Sequence, residues 1–313
     1  YLVIYSIFAK VPNNIRRVNL ALVLLGFSNC YPFKCNERVL MTRLTTLSQQ
    51  VSSLLVEQIN NILTITLNRP NTRNAMNLTM VDELSAVFTA ITADKKLRAV
   101  VLQGNEENFC AGGDIKDMSQ AQQTITTDPQ AFYRLNRRFG SLITQVNACP
   151  IPVIAILEGA VLGGGFGLAC VSDIAICHQD SQFGLPESSL GIPPAQIAAF
   201  VVQRIGLTQT RRLALLGSRF NGNEAYRLGI VHFVCKDKKE IKQQLDDCLI
   251  QVSRCAPEAN KITKQLIQQV GQQPLEELLD QAAHAFSKAL LSEEGQEGTK
   301  AFMERRPANW VEA

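Results

Sequence analysis

Two glycine clusters, each placed after a short apolar run, limit what this chain can become. Leu97–Gln103 runs into Gly104 and then into Phe109–Cys110–Ala111–Gly112–Gly113–Asp114. Pro152–Leu157 runs into Leu162–Gly163–Gly164–Gly165–Phe166–Gly167. Glycines at such places let the main chain turn sharply and let another group approach the backbone closely. The second cluster leads into Leu168–Ser172, which reads as a helix. A helix N-terminus carries unpaired N–H groups and a partial positive charge.

Nucleotide binding is the first reading to test. A phosphate loop of the G-x-x-x-x-G-K-[ST] type is absent. A dinucleotide fingerprint starts at Gly163 and Gly165 but meets Leu168 where its third glycine belongs, although Glu187 lies at about the ribose-binding distance of ~20 residues. A different chemistry fits better: one N–H from each turn converging on one oxygen and stabilising a developing oxyanion. The competing reading is that both turns serve only tight chain packing. The residues alone leave these two open.

The 313 residues are 46% hydrophobic and 19% charged, which excludes collagen-like, low-complexity and wholly disordered chains. No apolar run reaches the ~18 residues of a membrane span, so no membrane partner is expected. The net charge of +3 is misleading. Five of the 31 basic residues and one of the 28 acidic ones lie in residues 1–40, leaving 26 and 27 in residues 41–313, a net of −1. The body therefore carries no broad basic field, and nucleic acid is not an expected partner. Nine cysteines at irregular spacing, with no CxxC and three scattered histidines, suggest neither a zinc site nor a disulfide framework. Reduced thiols packed as small hydrophobes are the expectation, and a cytoplasmic or organelle-matrix address goes with it.

Residues 1–40 show no helix or strand period, and Met41 is the first methionine. Arg16–Arg17 followed by Val18–Phe27 imitates a signal peptide, but no small-residue cleavage site follows. We read 1–40 as an upstream extension outside the fold, with a targeting peptide as the competitor. Beyond it, Leu54–Ile59 and Ile62–Leu67 around Asn60–Asn61 predict a hairpin. Met80, Val81, Leu84, Val87, Phe88 and Ile91 predict a helix over 78–93 with these residues buried. Glu106–Gly113 reads as a loop and Phe132–Asn147 as a helix. Asp173–Cys177 and Ile230–Cys235 read as strands, Ala195–Ile205 and Thr208–Leu216 as two helices. From Asp237 every pattern is helical, with breaks near Pro257, Pro274 and Gly295. The expected class is an α/β core followed by an all-helical tail.

Several segments together identify a resemblance. They are Asn68–Arg69–Pro70 with Arg73–Asn74–Ala75–Met76, then Phe109–Lys116, Gly163–Gly164–Gly165, Phe183–Glu187 with Leu190–Gly191, and finally Glu297–Gly298, Ala301–Phe302 and Arg305–Asn309. In this order they resemble the enoyl-CoA hydratase/isomerase (crotonase) family over about residues 50–313. The resemblance implies a crotonase-like spiral of ββα units over residues 41–240 and a C-terminal helical region over 241–313 that makes trimers or dimers of trimers. The implied substrate is an acyl-CoA thioester. Its carbonyl oxygen would be held by the N–H groups of Gly113 and Gly164. Arg73, Ala75, Gly113, Asp114, Ile115, Lys116 and Gly164 would border coenzyme A, which enters as part of the substrate; no cofactor or metal is implied.

The resembled hydratases use two glutamates about 20 residues apart. The second position falls on Glu187, the expected acid/base; the first falls on Gly167. A single glutamate is what the family's isomerases show. Yet the segments Gly163–Leu168 and Leu190–Val202 look like a bacterial branch that hydrates branched, carboxylated substrates, methylglutaconyl-CoA and isohexenylglutaconyl-CoA, and that often carries glycine at the first position. The reading that follows is an enoyl-CoA hydratase, with a Δ3,Δ2-enoyl-CoA isomerase or an idle acyl-CoA-binding subunit as alternatives. Gln196 is a candidate contact for the far end of the substrate. Asp173 is expected to be structural, His178 and His232 ordinary packed residues, and Cys110 no nucleophile.

Overall fold

Asn60 turns the chain at φ 54°, a left-handed conformation that asparagine tolerates, and the hairpin forms around it. Strands β1 (Leu54–Ile59) and β2 (Ile62–Leu67) pair antiparallel, with Ile59 opposite Ile62. The computed structural model describes residues 49–94, 96–124 and 126–311. The expectations placed on residues 1–40 lie outside them. Helix α1 (Leu78–Ala93) follows, started by Asn77, whose side chain accepts from the Met80 amide at 3.0 Å. Its buried residues are the six that the period selected.

Strands β3 (Ala99–Gly104), β4 (Val153–Leu157), β6 (Ile174–His178) and β9 (Phe233–Cys235) add in parallel, giving the sheet order β1-β2-β3-β4-β6-β9. All five residues of β4 are buried, as expected of a parallel strand covered on both faces. A smaller sheet joins β5 (Ala160–Leu162), β7 (Gln182–Gly184) and β8 (Arg219–Phe220). Two isolated parallel bridges, Cys110 to Val161 and Met76 to Gly113, carry this second layer out to the first glycine cluster.

Three expectations change. Helix α2 (Ile115–Thr124) stands where the sequence offered no period, and helix α3 (Ala131–Asn147) follows it. The second glycine cluster is not a loop before a helix; it is the first turn of α4 (Gly164–Val171), whose eight residues are all buried. The two helices expected around Gly206 are both present, the first starting at Ala198; they follow one another as α5 (Ala198–Leu216), broken where Gly206 takes the non-helical φ 76°, ψ 163°. After the short helix α6 (Gly222–Arg227), the tail comprises α7 (Lys238–Arg254), α8 (Pro257–Gln268), α9 (Leu275–Leu291) and α10 (Glu293–Glu304). Its last break lies at Ser292, whose hydroxyl accepts from the Gly295 amide, rather than at Gly295.

Helix α7 buries Ile241 and Cys248 against Val101, Ile154, Ile156 and Ile176 of the large sheet, and the expected division at residue 240 falls inside it. Asp173 accepts from the Val153 amide and from Lys264 Nζ, both at 2.7 Å, and so joins β4 to α8. This is the structural role expected of it. No helix among the described residues is long and apolar enough to cross a membrane.

Candidate active site

The Met76 amide donates to Gly112 O at 2.8 Å, and the Asp114 amide donates to Met76 O at 2.9 Å. In a parallel bridge these bonds come from the residues flanking the paired one. The N–H of Gly113 therefore points away from Met76, and among the described residues it has no backbone acceptor. Gly113 is exposed, whereas Gly112 and Asp114 on either side are buried.

The second turn lies alongside. The Cys110 amide donates to Ala160 O at 2.8 Å and the Leu162 amide to Cys110 O at 2.9 Å. Gly163 then takes φ 50°, and Gly164 begins α4, so its amide is one of the donors a helix leaves unused. A Cβ built on Gly163 would stand 3.5 Å from Gly112 Cα; one on Gly165 would stand 2.7 Å from both Cβ and O of Cys110. Only hydrogen fits at Gly165, so the two turns are in contact because both are made of glycine. Gly164 is walled by Met76 Cε and Phe139 Cζ, which lie 2.5 and 2.8 Å from the place its Cβ would take.

Glu187 opens a single 3-10 turn, Glu187–Leu190, directly after Pro186. Its Oε1 lies 2.9 Å from the position of a Cβ on Gly163, over the junction of the two turns. Its Oε2 is buried without a hydrogen-bond partner. Burial pushes this carboxyl above the ordinary glutamate value, only partly offset by a hydrogen bond from its own amide. A buried, underbonded carboxyl group beside two unused amide donors is equipped to accept and return a proton.

The structure brings together Gly113, Gly164 and Glu187. It also aligns the segment Arg73–Met76 with residues 111–116. Arg73 is exposed at φ 50°, and its carbonyl accepts from the Ala111 amide at 3.0 Å. Ala75 is buried beside it. Ile115 is 71% exposed, a large apolar side chain left open on this rim, and Lys116 is exposed next to it. Asp114 is 9% exposed and pairs with Arg69 at 2.8 Å. Burial pushes its carboxyl up, but the Lys116 amide and Arg69 outweigh that and hold it below the usual range. It braces the rim from behind.

Gly167 carries a second finding. A Cβ there would run into Ile197 Cγ2 and approach Ile197 Cβ at 3.1 Å and Ile143 Cδ1 at 3.5 Å. The place of a first glutamate is filled by apolar packing. Sequence reasoning assigned no role to Phe139 or Arg69, nor to the brace at Asn74. Asn74 is fully buried, donates to Asn105 O at 2.9 Å and Asn108 O at 2.6 Å, and accepts from the Arg69 amide at 2.8 Å. Its signal was present, since it stands inside the Arg73–Met76 motif. Phe139 offers no signal beyond an apolar place on a helix. The Cys110 thiol is pushed up to about 11 by burial. His178 bonds Lys236 O, and His232 accepts from the Ala175 amide. A cleft of about 980 Å³ lies elsewhere, and Glu187 and the two turns are not part of it. Its charged groups are engaged, Lys264 with Asp173 and Arg204 with the carbonyls of Ser172 and Ile230.

Residues 57–313 match the family model for enoyl-CoA hydratase/isomerase. The 2,3-dehydroadipyl-CoA hydratase of Escherichia coli K12 is 29% identical over 260 residues, covering 82% of this chain and 97% of that protein. The short-chain-enoyl-CoA hydratase of Clostridium acetobutylicum is 29% identical over 263 residues, covering 82% and 97%. Among solved structures, Pseudomonas aeruginosa AtuE superposes with a TM-score of 0.81 at 54% identity, covering 83% of this chain and all of that one. An enoyl-CoA hydratase/isomerase from Marinobacter aquaeolei follows with a TM-score of 0.80 at 50% identity, covering 83% and 99%.

Proposed function

This chain belongs to the enoyl-CoA hydratase/isomerase family, and from that premise we propose that it adds water across the 2,3-double bond of an enoyl-CoA, preferentially a branched or carboxylated one. The observation that carries the reading is the Glu187 carboxyl group, which lies over the junction of the two turns with one oxygen unbonded. The thioester oxygen sits between the Gly113 and Gly164 amides. Glu187 as carboxylate takes a proton from water while the water oxygen bonds to C3. The electron pair of the double bond moves through C2 onto the thioester oxygen, where the two amides stabilise it. The carboxylic acid so formed returns its proton to C2. One carboxyl group performs both transfers, so hydroxyl and proton arrive on the same face. Neither transfer changes the oxidation state of any group beyond the substrate, so no redox cofactor takes part. Coenzyme A lies along Arg73, Ala75 and residues 113–116.

A glutamate absent at position 167 removes the second base, and a substrate whose double bond is activated by further conjugation or substitution has less need of one. The single carboxyl group also favours a second reading, isomerisation, in which Glu187 carries one proton between C2 and C4. The exposed Phe286, Leu291, Phe302 and Met303 of α9 and α10 suit packing into a homotrimer or a dimer of trimers. The test is a panel of crotonyl-CoA, 3-methylglutaconyl-CoA and a 3-enoyl-CoA, followed by the conjugated-enoyl absorbance. Loss of absorbance from the conjugated substrates, strongest with 3-methylglutaconyl-CoA, is expected. A gain from the 3-enoyl substrate alone overturns hydration in favour of isomerisation. Silence with retained thioester binding overturns both in favour of an acyl-CoA-binding subunit.

A further inference from the structure

Helix α3 carries three arginines in its exposed first half, and they are not treated alike. Arg134 pairs with Asp128, and Arg138 pairs with Asp82. Arg137 is bonded to an uncharged group: its Nη1 donates to Gln196 Oε1 at 2.5 Å. Gln196 Nε2 in turn donates to Asn136 Oδ1 at 2.7 Å, which fixes the amide so that its oxygen faces the arginine. Among the described residues no carboxylate pairs with Arg137. A guanidinium has five N–H donors in a planar fork, and the bond to Gln196 uses one of them.

The location of this cation matters more than its charge. Arg137 Nη1 lies 2.8 Å from where a Cβ on Gly140 would stand. The residue before Gly140 is Phe139, whose ring lies against Gly164. The residue after Gln196 is Ile197, which fills the space beside Gly167. The cluster is thus built on the two segments that wall the first turn of α4, and it belongs to neither segment assigned to coenzyme A.

We propose that Arg137, oriented by Gln196 and Asn136, binds a carboxylate at the far end of the acyl group and so selects half-thioesters of dicarboxylic acids over neutral acyl chains. The proposal rests on the acyl-CoA reading given above and narrows it. A fork held beyond an apolar wall matches a substrate with a thioester at one end, carbon in the middle and a charge at the other. A neutral chain of the same length leaves the guanidinium to water.

The test uses binding rather than turnover, so that it is independent of whether the chemistry is hydration or isomerisation. Calorimetry measures Kd for the saturated thioesters glutaryl-CoA and adipyl-CoA against pentanoyl-CoA and hexanoyl-CoA. The wild-type protein is expected to prefer the better-fitting carboxylated thioester by about 10-fold or more, the range of a charge-assisted contact. Arg137→Met removes that preference with little change for the neutral thioesters. Gln196→Glu, which supplies Arg137 with an internal carboxylate, removes it as well. A wild-type protein that binds both classes equally, or an Arg137→Met variant that keeps the preference, overturns the proposal while leaving the acyl-CoA reading intact. Failure of every thioester to bind overturns both.

Discussion

At Glu187 the energetics of folding and of the proposed reaction pull in opposite directions. Burial raises the pKa of its carboxyl group, so the folded protein holds this proton more tightly than the unfolded chain does. Stability from this group is complete below the ordinary glutamate pKa of about 4.3 and is lost as pH rises through the raised value. Hydration needs the opposite form, the carboxylate. The rate is therefore expected to fall as pH drops through a value above the ordinary glutamate range, read from the acid limb of a kcat/KM profile. Glu187→Gln should lower turnover by about 10²–10⁴-fold, measured on the best substrate of the panel. The same variant should melt at a temperature equal to or above the wild type at neutral pH, because a desolvated charge is gone. Loss of activity together with a lower Tm would mean that the carboxylate is structural. The candidate site residues legible in the sequence are those whose chemistry is stated by type and order: Gly113, Gly164 and Glu187. Arg137 and Phe139 are not, because their meaning depends on which distant residue each one meets.

Helix α4 shows what an element can contribute when its first turn is almost without side chains. Glycine is a poor helix former, and its cluster reads locally as a loop. The helix forms because Phe166, Leu168 and Val171 are buried in the core and because the glycines let Cys110 approach the backbone. Gly167→Glu is expected to destabilise the protein by about 1–3 kcal/mol through overlap with Ile197, in denaturant melts. It should not produce a two-carboxylate hydratase. Adding Ile197→Ala should recover part of that loss, a coupling that two independent sites would not show. Elsewhere the helices with a clear period, α1 and α3, could be read from the sequence to within a residue. Strands β5, β7 and β8 could not, since two or three residues contain no alternation to detect. Helix α2 escaped because its sequence, IKDMSQAQQT, is polar nearly throughout.

On the scale of the whole molecule, the tail is fastened to the sheet by polar groups at separate points. Arg98 donates to the carbonyls of Cys255 at 2.5 Å, Trp310 at 3.0 Å and Ser253 at 3.2 Å, and Lys264 holds Asp173. Lys264→Met should cost about 1–3 kcal/mol, seen as a lower Tm, without altering thioester affinity. The apolar residues that α9 and α10 leave open should be covered in solution. Phe286→Asp with Leu291→Asp is expected to lower the mass found by light scattering, and an unchanged mass would dismiss that surface. Met76 belongs to this larger scale too, for it touches both turns: its main chain clasps Gly112 and Asp114, and its terminal methyl group lies next to Gly164. A replacement at position 76 therefore reaches both proposed donors at once, one through the main chain that aims it and the other through the wall beside it.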